Sequence, residues 1–484
     1  MGLWSLPASA AGLLALAGLP VGSGAALDLF WLSQPTAVCN DGSPAAYYYR
    51  AATALPETYV VYLQGGGWCW DAESCVSRAL YESWRMTSDG FSPHVSLGGI
   101  FDEAHSAVAG AHVIFVPYCT SDAFMGDAAA SPASLGLHFR GHRVIEAVFA
   151  DLIAKRGLGA SDNQTVIFGG GSAGARGAMV HLDKIGDLVA STARRPQHVV
   201  GFLDSPLWVD APALDPTKAS LAETTKMVQK LANVTQLGAA CAAAHGADTS
   251  WKCLLGEYRM PYVTTPYVLI ASQDDSYQLN YNLGHFPNLG HFPNASNAAE
   301  AAYTSKFAAA TVELVNALPP LGLRATATVF SQKCYDHSTS LKARFYEEKV
   351  GGFTMNDALV DVLDAAARGA APRRFIDDCV SFDCGAGCTH DATGAPTAAP
   401  TAAPTAAPTA APTAAPSPEP TAEPALRGAN AKKGLTATCS VLGVALFVWC
   451  AILRWRVVQT RKKAKAEAAN VAWLALQRDV DGLA

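Results

Sequence analysis

The chain has 484 residues, of which 50% are hydrophobic and 16% charged, with a net charge of −6. That length accommodates either one large α/β domain with appendages or two to three smaller domains. The acidic balance argues against a nucleic-acid binder, which normally carries a basic domain.

Residues 1–26 carry no charged side chain. An apolar run at Ala10–Leu19 leads to small residues around Ala25 and Ala26, the pattern of a cleaved secretory signal. Residues 27–392 follow without a long linker and are expected to form a single large domain.

The next apolar run is Tyr59–Leu63 (YVVYL), and Gln64-Gly65-Gly66-Gly67-Trp68 follows it directly. Backbone N–H groups of consecutive glycines can approach a substrate oxygen closely, because no Cβ intervenes. Gly66 and Gly67 are therefore candidate oxyanion donors. Further β-branched apolar runs occur at His112–Val116, Thr165–Phe168, His198–Leu203 and Tyr267–Ala271. Such near-continuous runs suit strands buried on both faces. Helical patterns at Leu137–Lys155 and Ala173–Ile185 lie between them. Strands alternating with helices predict an α/β fold with a mostly parallel central sheet flanked by helices.

The sharpest motif is Gly170-Gly171-Ser172-Ala173-Gly174, which follows the strand Thr165–Phe168 and opens a helix. G-x-S-x-G in this setting is the elbow that lifts a nucleophilic serine out of an α/β-hydrolase sheet. The N–H of Ala173, at the helix N-terminus, then faces the developing oxyanion. In that fold the acid and the histidine follow the serine in that order. Strand Tyr267–Ala271 ends in Ser272-Gln273-Asp274-Asp275, so either aspartate qualifies by position. The strand Ala325–Phe330 leads to Cys334-Tyr335-Asp336-His337, and His337 best fits the chain order. Between them the tandem LGHFPN at Leu283–Asn294 reads as a surface loop.

Ten of the twelve cysteines precede the C-terminal appendages. An even number behind a secretory signal reads as disulfides rather than a metal site. Cys69 and Cys75 are spaced to close a small loop, and Cys241 is a candidate partner for Cys253. Connectivity of the cluster Cys379, Cys384 and Cys388 is open. Sequons at Asn163, Asn233 and Asn294 mark candidate N-glycosylation sites.

Residues 393–431 contain a PTAA repeat that blocks helix and sheet and resembles an O-glycosylated stalk. Leu435–Leu453 is a 19-residue stretch without a charge, enough to span a hydrocarbon core about 30 Å thick. Residues 454–484 form a basic tail of net +4, leaving −10 for the rest. The flanking charge bias predicts a type I single-pass protein with the tail in the cytoplasm.

Taken together, these residues resemble the pectin acetylesterase/Notum family of carboxylesterases. The resemblance runs from about Ala37 to about His390. It is carried by Ala37-Val38-Cys39-Asn40-Asp41-Gly42-Ser43, by the run from Leu63 to Cys75, by Tyr118-Cys119 and by Leu137-His138-Phe139-Arg140-Gly141. The Ser172 elbow, Asp275-Ser276-Tyr277-Gln278 and Cys334-x-x-His337 complete it. The resemblance selects Asp275 over Asp274. It implies a Ser172, Asp275 and His337 triad, with Gly66, Gly67 and Ala173 as oxyanion donors. It also implies an α/β-hydrolase-like fold and O-acyl ester hydrolysis through an acyl-serine, with no metal or cofactor. The expected substrate is an O-acetylated extracellular polysaccharide. The alternatives are a lipid-modified protein or a catalytically silent stalked ectodomain. Gly171 and Ala175 depart from plant-type members, which often carry Cys and Gly there.

Overall fold

The computed structural model describes residues 25–388 except 193, 195–197, 286–292, 294–296, 319–326 and 386–387. All but the last two residues of the expected signal lie outside the described residues, as do the stalk, membrane span and basic tail, Asn294 and most of the duplicated loop. Among the described residues no helix is long and apolar enough to cross a membrane.

Ten strands form one sheet: β1 (Leu27–Trp31), β2 (Ala46–Arg50), β3 (Leu55–Leu63), β4 (His94–Val95), β5 (Ala111–Val116), β6 (Thr165–Gly171), β7 (His198–Asp204), β8 (Tyr267–Ile270), β9 (Ala327–Ser331) and β10 (Arg374–Ile376). Their spatial order is β10-β9-β8-β7-β6-β3-β5-β2-β1-β4. From β10 to β5 all neighbours are parallel, whereas β2, β1 and β4 add an antiparallel edge.

The parallel strands read as unbroken apolar runs because both faces are covered. Tyr59, Val61 and Leu63 of β3 join one core, while Val60 and Tyr62 join the core on the opposite face. The same alternation divides Val166 and Phe168 from Ile167, and Tyr267 and Leu269 from Val268 and Ile270. The helices are α1 (Ala72–Tyr81), α2 (Gly141–Lys155), α3 (Ala173–Ala190), α4 (Leu221–Leu231), α5 (Ala239–His245), α6 (Gly256–Arg259), α7 (Ser276–Asn282), α8 (Ala298–Ala317), α9 (Arg344–Glu347) and α10 (Met355–Arg368). Helices α2 and α3 pack on the first face. Met355, Ala358, Leu359 and Val362 of α10 present a helical stripe to the second.

The helix expected from Leu137 begins four residues later. His138 and Phe139 instead donate their N–H groups to the carbonyls of Asn40 (3.0 Å) and Ala128 (2.9 Å). The Gly141 N–H is held by the buried Asp122 carboxylate at 2.8 Å, which fixes where the helix starts.

The chain order β3, β5, β6 places β5 on one side of β3 and β6 on the other. In open parallel sheets, sites form beyond the strand C-termini at such a reversal. The glycine loop after β3 and the Ser172 turn after β6 meet there. A Cβ at Gly174 would lie 2.0 Å from the Leu63 carbonyl oxygen, so only glycine lets α3 sit against the end of β3.

Five disulfides join Cys39–Cys119, Cys69–Cys75, Cys241–Cys253, Cys334–Cys388 and Cys379–Cys384. The two short-range pairs expected from spacing are present. Such a set fits a chain that folds in an oxidising compartment.

Candidate active site

Ser172 sits between β6 and α3 with φ +54° and ψ −121°, a conformation that a non-glycine residue rarely adopts. Its N–H is held by the Asp204 carbonyl oxygen at 2.8 Å. This strained turn leaves Oγ projecting past the sheet rather than into it.

His337 Nε2 lies 2.7 Å from Ser172 Oγ. On its other side, Nδ1 lies 2.7 Å from Asp275 Oδ2. Asp275 caps α7, with its Oδ1 accepting the Gln278 N–H at 2.9 Å. One carboxylate oxygen thus serves the helix and the other the imidazole. The neighbouring Asp274 points elsewhere, into a buried ion pair with Lys333 at 2.8 Å. Tyr277 stacks on the His337 ring, with centroids 5.1 Å apart.

Burial by itself lowers the His337 pKa. The Asp275 charge and hydrogen bond, with smaller contributions from the Asp204 and Asp336 charges, more than offset this and leave it above the ordinary value. The imidazolium form is therefore favoured once a proton arrives.

Gly66 and Gly67 follow β3 beside the Ser172 turn. A Cβ on Gly65 would lie 3.0 Å from Ser172 Cβ, and Gly67 has φ +64°. Arg78 Nη2 donates to the Gly66 carbonyl at 2.7 Å. Because the peptide is planar and trans, fixing that carbonyl also fixes the direction of the Gly67 N–H. Tyr118 OH donates to the Gly67 carbonyl at 2.9 Å. Ala173 is the first residue of α3, so its N–H carries the positive end of the helix dipole.

Sequence reasoning missed the group that backs this loop. Trp68 packs edge-on against Trp208 at 4.9 Å. The Arg176 guanidinium carbon lies 3.4 Å from the Trp208 ring centroid and 4.1 Å from that of Trp68. Arg176 is fully buried, and its Nη1 has no hydrogen-bond partner. Its position one helical turn past Ser172 was the only available signal.

Asn163 and Asn233 are both exposed in turns, so both asparagine side chains are accessible. The three groupings of Cys with His, Asp or Glu among the described residues all include disulfide-bonded cysteines, which cannot act as thiolate ligands.

A family model described as pectinacetylesterase matches residues 23–389. The chain belongs to the pectinacetylesterase family. The family makes it a carboxylic ester hydrolase. Palmitoleoyl-protein carboxylesterase notum2 of Xenopus laevis is 26% identical over 375 residues, covering 73% of this chain and 70% of that one. Pectin acetylesterase 7 of Arabidopsis thaliana is 26% identical over 390 residues, covering 78% of this chain and 96% of that one. The crystal structure of the Wnt deacylase Notum from Drosophila shares the fold, with a TM-score of 0.66 at 24% identity, over 76% of this chain and 100% of that one. Within the family, Gly171 has a local reason here. A Cβ at that position would meet Ser338 Oγ at 2.1 Å and Tyr62 OH at 2.6 Å, so those side chains occupy the space a larger residue needs.

Proposed function

We propose that the chain is a serine esterase that removes short O-acyl groups, acetyl above all, from an extracellular polysaccharide. The observation that carries this reading is the unbroken chain Ser172 Oγ, His337 and Asp275, with 2.7 Å at each link. His337 takes the serine proton as Oγ attacks the ester carbonyl. The N–H groups of Gly66, Gly67 and Ala173 receive the oxyanion. His337 then protonates the departing alcohol oxygen, and Asp275 holds the tautomer and stabilises the imidazolium. A water activated by the same imidazole releases the acid from the acyl-serine.

The short acyl group is favoured by what stands behind the glycine loop. A long apolar chain there would have to displace the buried Trp68 and Trp208 rings and lie against a buried guanidinium that donates to the Leu254 carbonyl and Thr225 Oγ1 but leaves Nη1 without a partner. Both are costly. The named activity of the Xenopus relative supports removal of a long acyl chain from a protein as a second reading. Acetate release from acetylated pectin and xylan, compared with release from a long-chain acyl peptide, separates the two. Acetate release from the glycans should dominate in the native chain. Arg176→Met, which removes the buried charge and keeps an unbranched apolar side chain, should move p-nitrophenyl ester preference toward longer acyl groups. A native preference for the long-chain peptide would overturn the glycan reading.

We further propose that the signal, the stalk of residues 393–431 and the span Leu435–Leu453 tether this enzyme to a membrane on the secretory route. That reading is supported by their composition and by the five disulfides.

A further inference from the structure

A second carboxylate is built into the site between the serine and the histidine. Asp204 ends β7 directly beside Gly171 of β6 and is 1% exposed. Its carbonyl accepts the Ser172 N–H at 2.8 Å. Its side chain works on the other side of the site. Oδ2 accepts the Ser340 N–H at 2.9 Å, and Oδ1 accepts the Ser205 hydroxyl at 3.0 Å. Ser205 Oγ in turn accepts the Ser338 N–H at 3.0 Å. The turn that leaves His337 is therefore held at its first and third residues, both through Asp204.

That turn needs holding. Ser338 has φ +56° and Ser205 has φ +63°, two unfavourable conformations facing each other across one hydrogen bond. Burial raises the Asp204 pKa, and the hydrogen bonds from Ser340 and Ser205 and the His337 charge work against that; because its donors are neutral, the charge of the ionised carboxylate is not cancelled locally. The charged and titratable groups around His337 are Asp275 at the cap of α7, Tyr277 of α7, Asp336 of its own loop, paired with Arg344 of α9, and Asp204 of β7.

We propose that Asp204 is a positioning residue of the serine-esterase site, fixing the His337 turn against the Ser172 turn and stabilising the imidazolium that forms during proton transfer. This rests on the serine-esterase reading above. Asp275 sets the tautomer, and Asp204 supplies turn geometry and a second negative charge.

The test uses the full chain with p-nitrophenyl acetate, measuring kcat, KM and the pH profile. Asp204→Asn should lower kcat by about 10–100-fold with little change in KM, the size expected for a slightly misplaced base. The acidic limb of kcat/KM should also move to lower pH by about half a unit or more, because one anion facing His337 is lost. Ser205→Ala breaks the tie to Ser338 without removing a charge. It should lower kcat while leaving the limb in place. An unmoved limb in Asp204→Asn overturns the proposal, because a purely structural acid would lower kcat alone. If Asp204→Asn does not fold, unchanged kcat in Ser205→Ala overturns it instead. Ser172→Ala is the control for the reading beneath. Full activity in that variant would refute the serine mechanism itself, irrespective of Asp204.

Discussion

Asp274 and Asp275 are adjacent in sequence and opposite in role. Asp275 is half of a hydrogen-bonded pair with His337 and caps α7, so replacing it with Asn keeps the shape but removes the charge and permits the wrong tautomer. Asp274 neutralises Lys333 in the interior, where Lys333 is 3% exposed. Asp275→Asn should lower kcat by roughly 10³–10⁴-fold while the melting temperature changes little. Asp274→Ala should instead leave an unpaired buried ammonium and cost about 3–5 kcal/mol of stability. Measured kcat and thermal unfolding for the two variants check both statements. Equal kcat losses with equal melting temperatures would contradict the division of labour.

The segment from β9 to β10 carries the histidine, and its stability is unusually exposed to pH. Cys334, three residues before His337, is tied to Cys388, and Glu348 Oε1 lies 3.0 Å from the Cys334 sulfur. A disulfide sulfur carries no proton, so a hydrogen bond there requires a protonated Glu348 as donor. Burial, with the nearby Asp336 charge adding to it, pushes the Glu348 pKa up to about 8. The unfolded chain titrates this group near about 4.3. Because the folded value is the higher one, Glu348 stabilises the fold fully at low pH, and that contribution is lost as pH rises through about 8. Melting temperatures of Glu348→Gln and the native chain should therefore diverge in favour of the variant between pH 5 and pH 8. A difference that does not change across that range would contradict a protonated Glu348.

At the scale of the whole molecule, the elements legible in the sequence are those buried on both faces. The apolar runs of β3, β5, β6, β7, β8 and β9 appear where the chain pattern places them. The edge strands β4 and β10 were not visible, nor were β1 and β2 of the antiparallel side. β4 and β10 are only two and three residues long, and β1 is partly exposed. The serine was legible because its turn demands small neighbours over several positions. The choice of Asp275 needed a family resemblance, since position alone admits Asp274. Asp204 left no pattern and Arg176 only its spacing from Ser172, because each is a single residue brought into place by parallel strand pairing or by one helical turn. The central claim is that Ser172, activated by His337, is the nucleophile of a carboxylic ester hydrolase. The most direct measurement is labelling of the full chain with a fluorophosphonate, followed by mass spectrometry of the modified peptide. The account predicts a single adduct on Ser172, strongly slowed in His337→Ala and absent in Ser172→Ala. Folded native protein that takes up no label, or carries it on another serine, would contradict it.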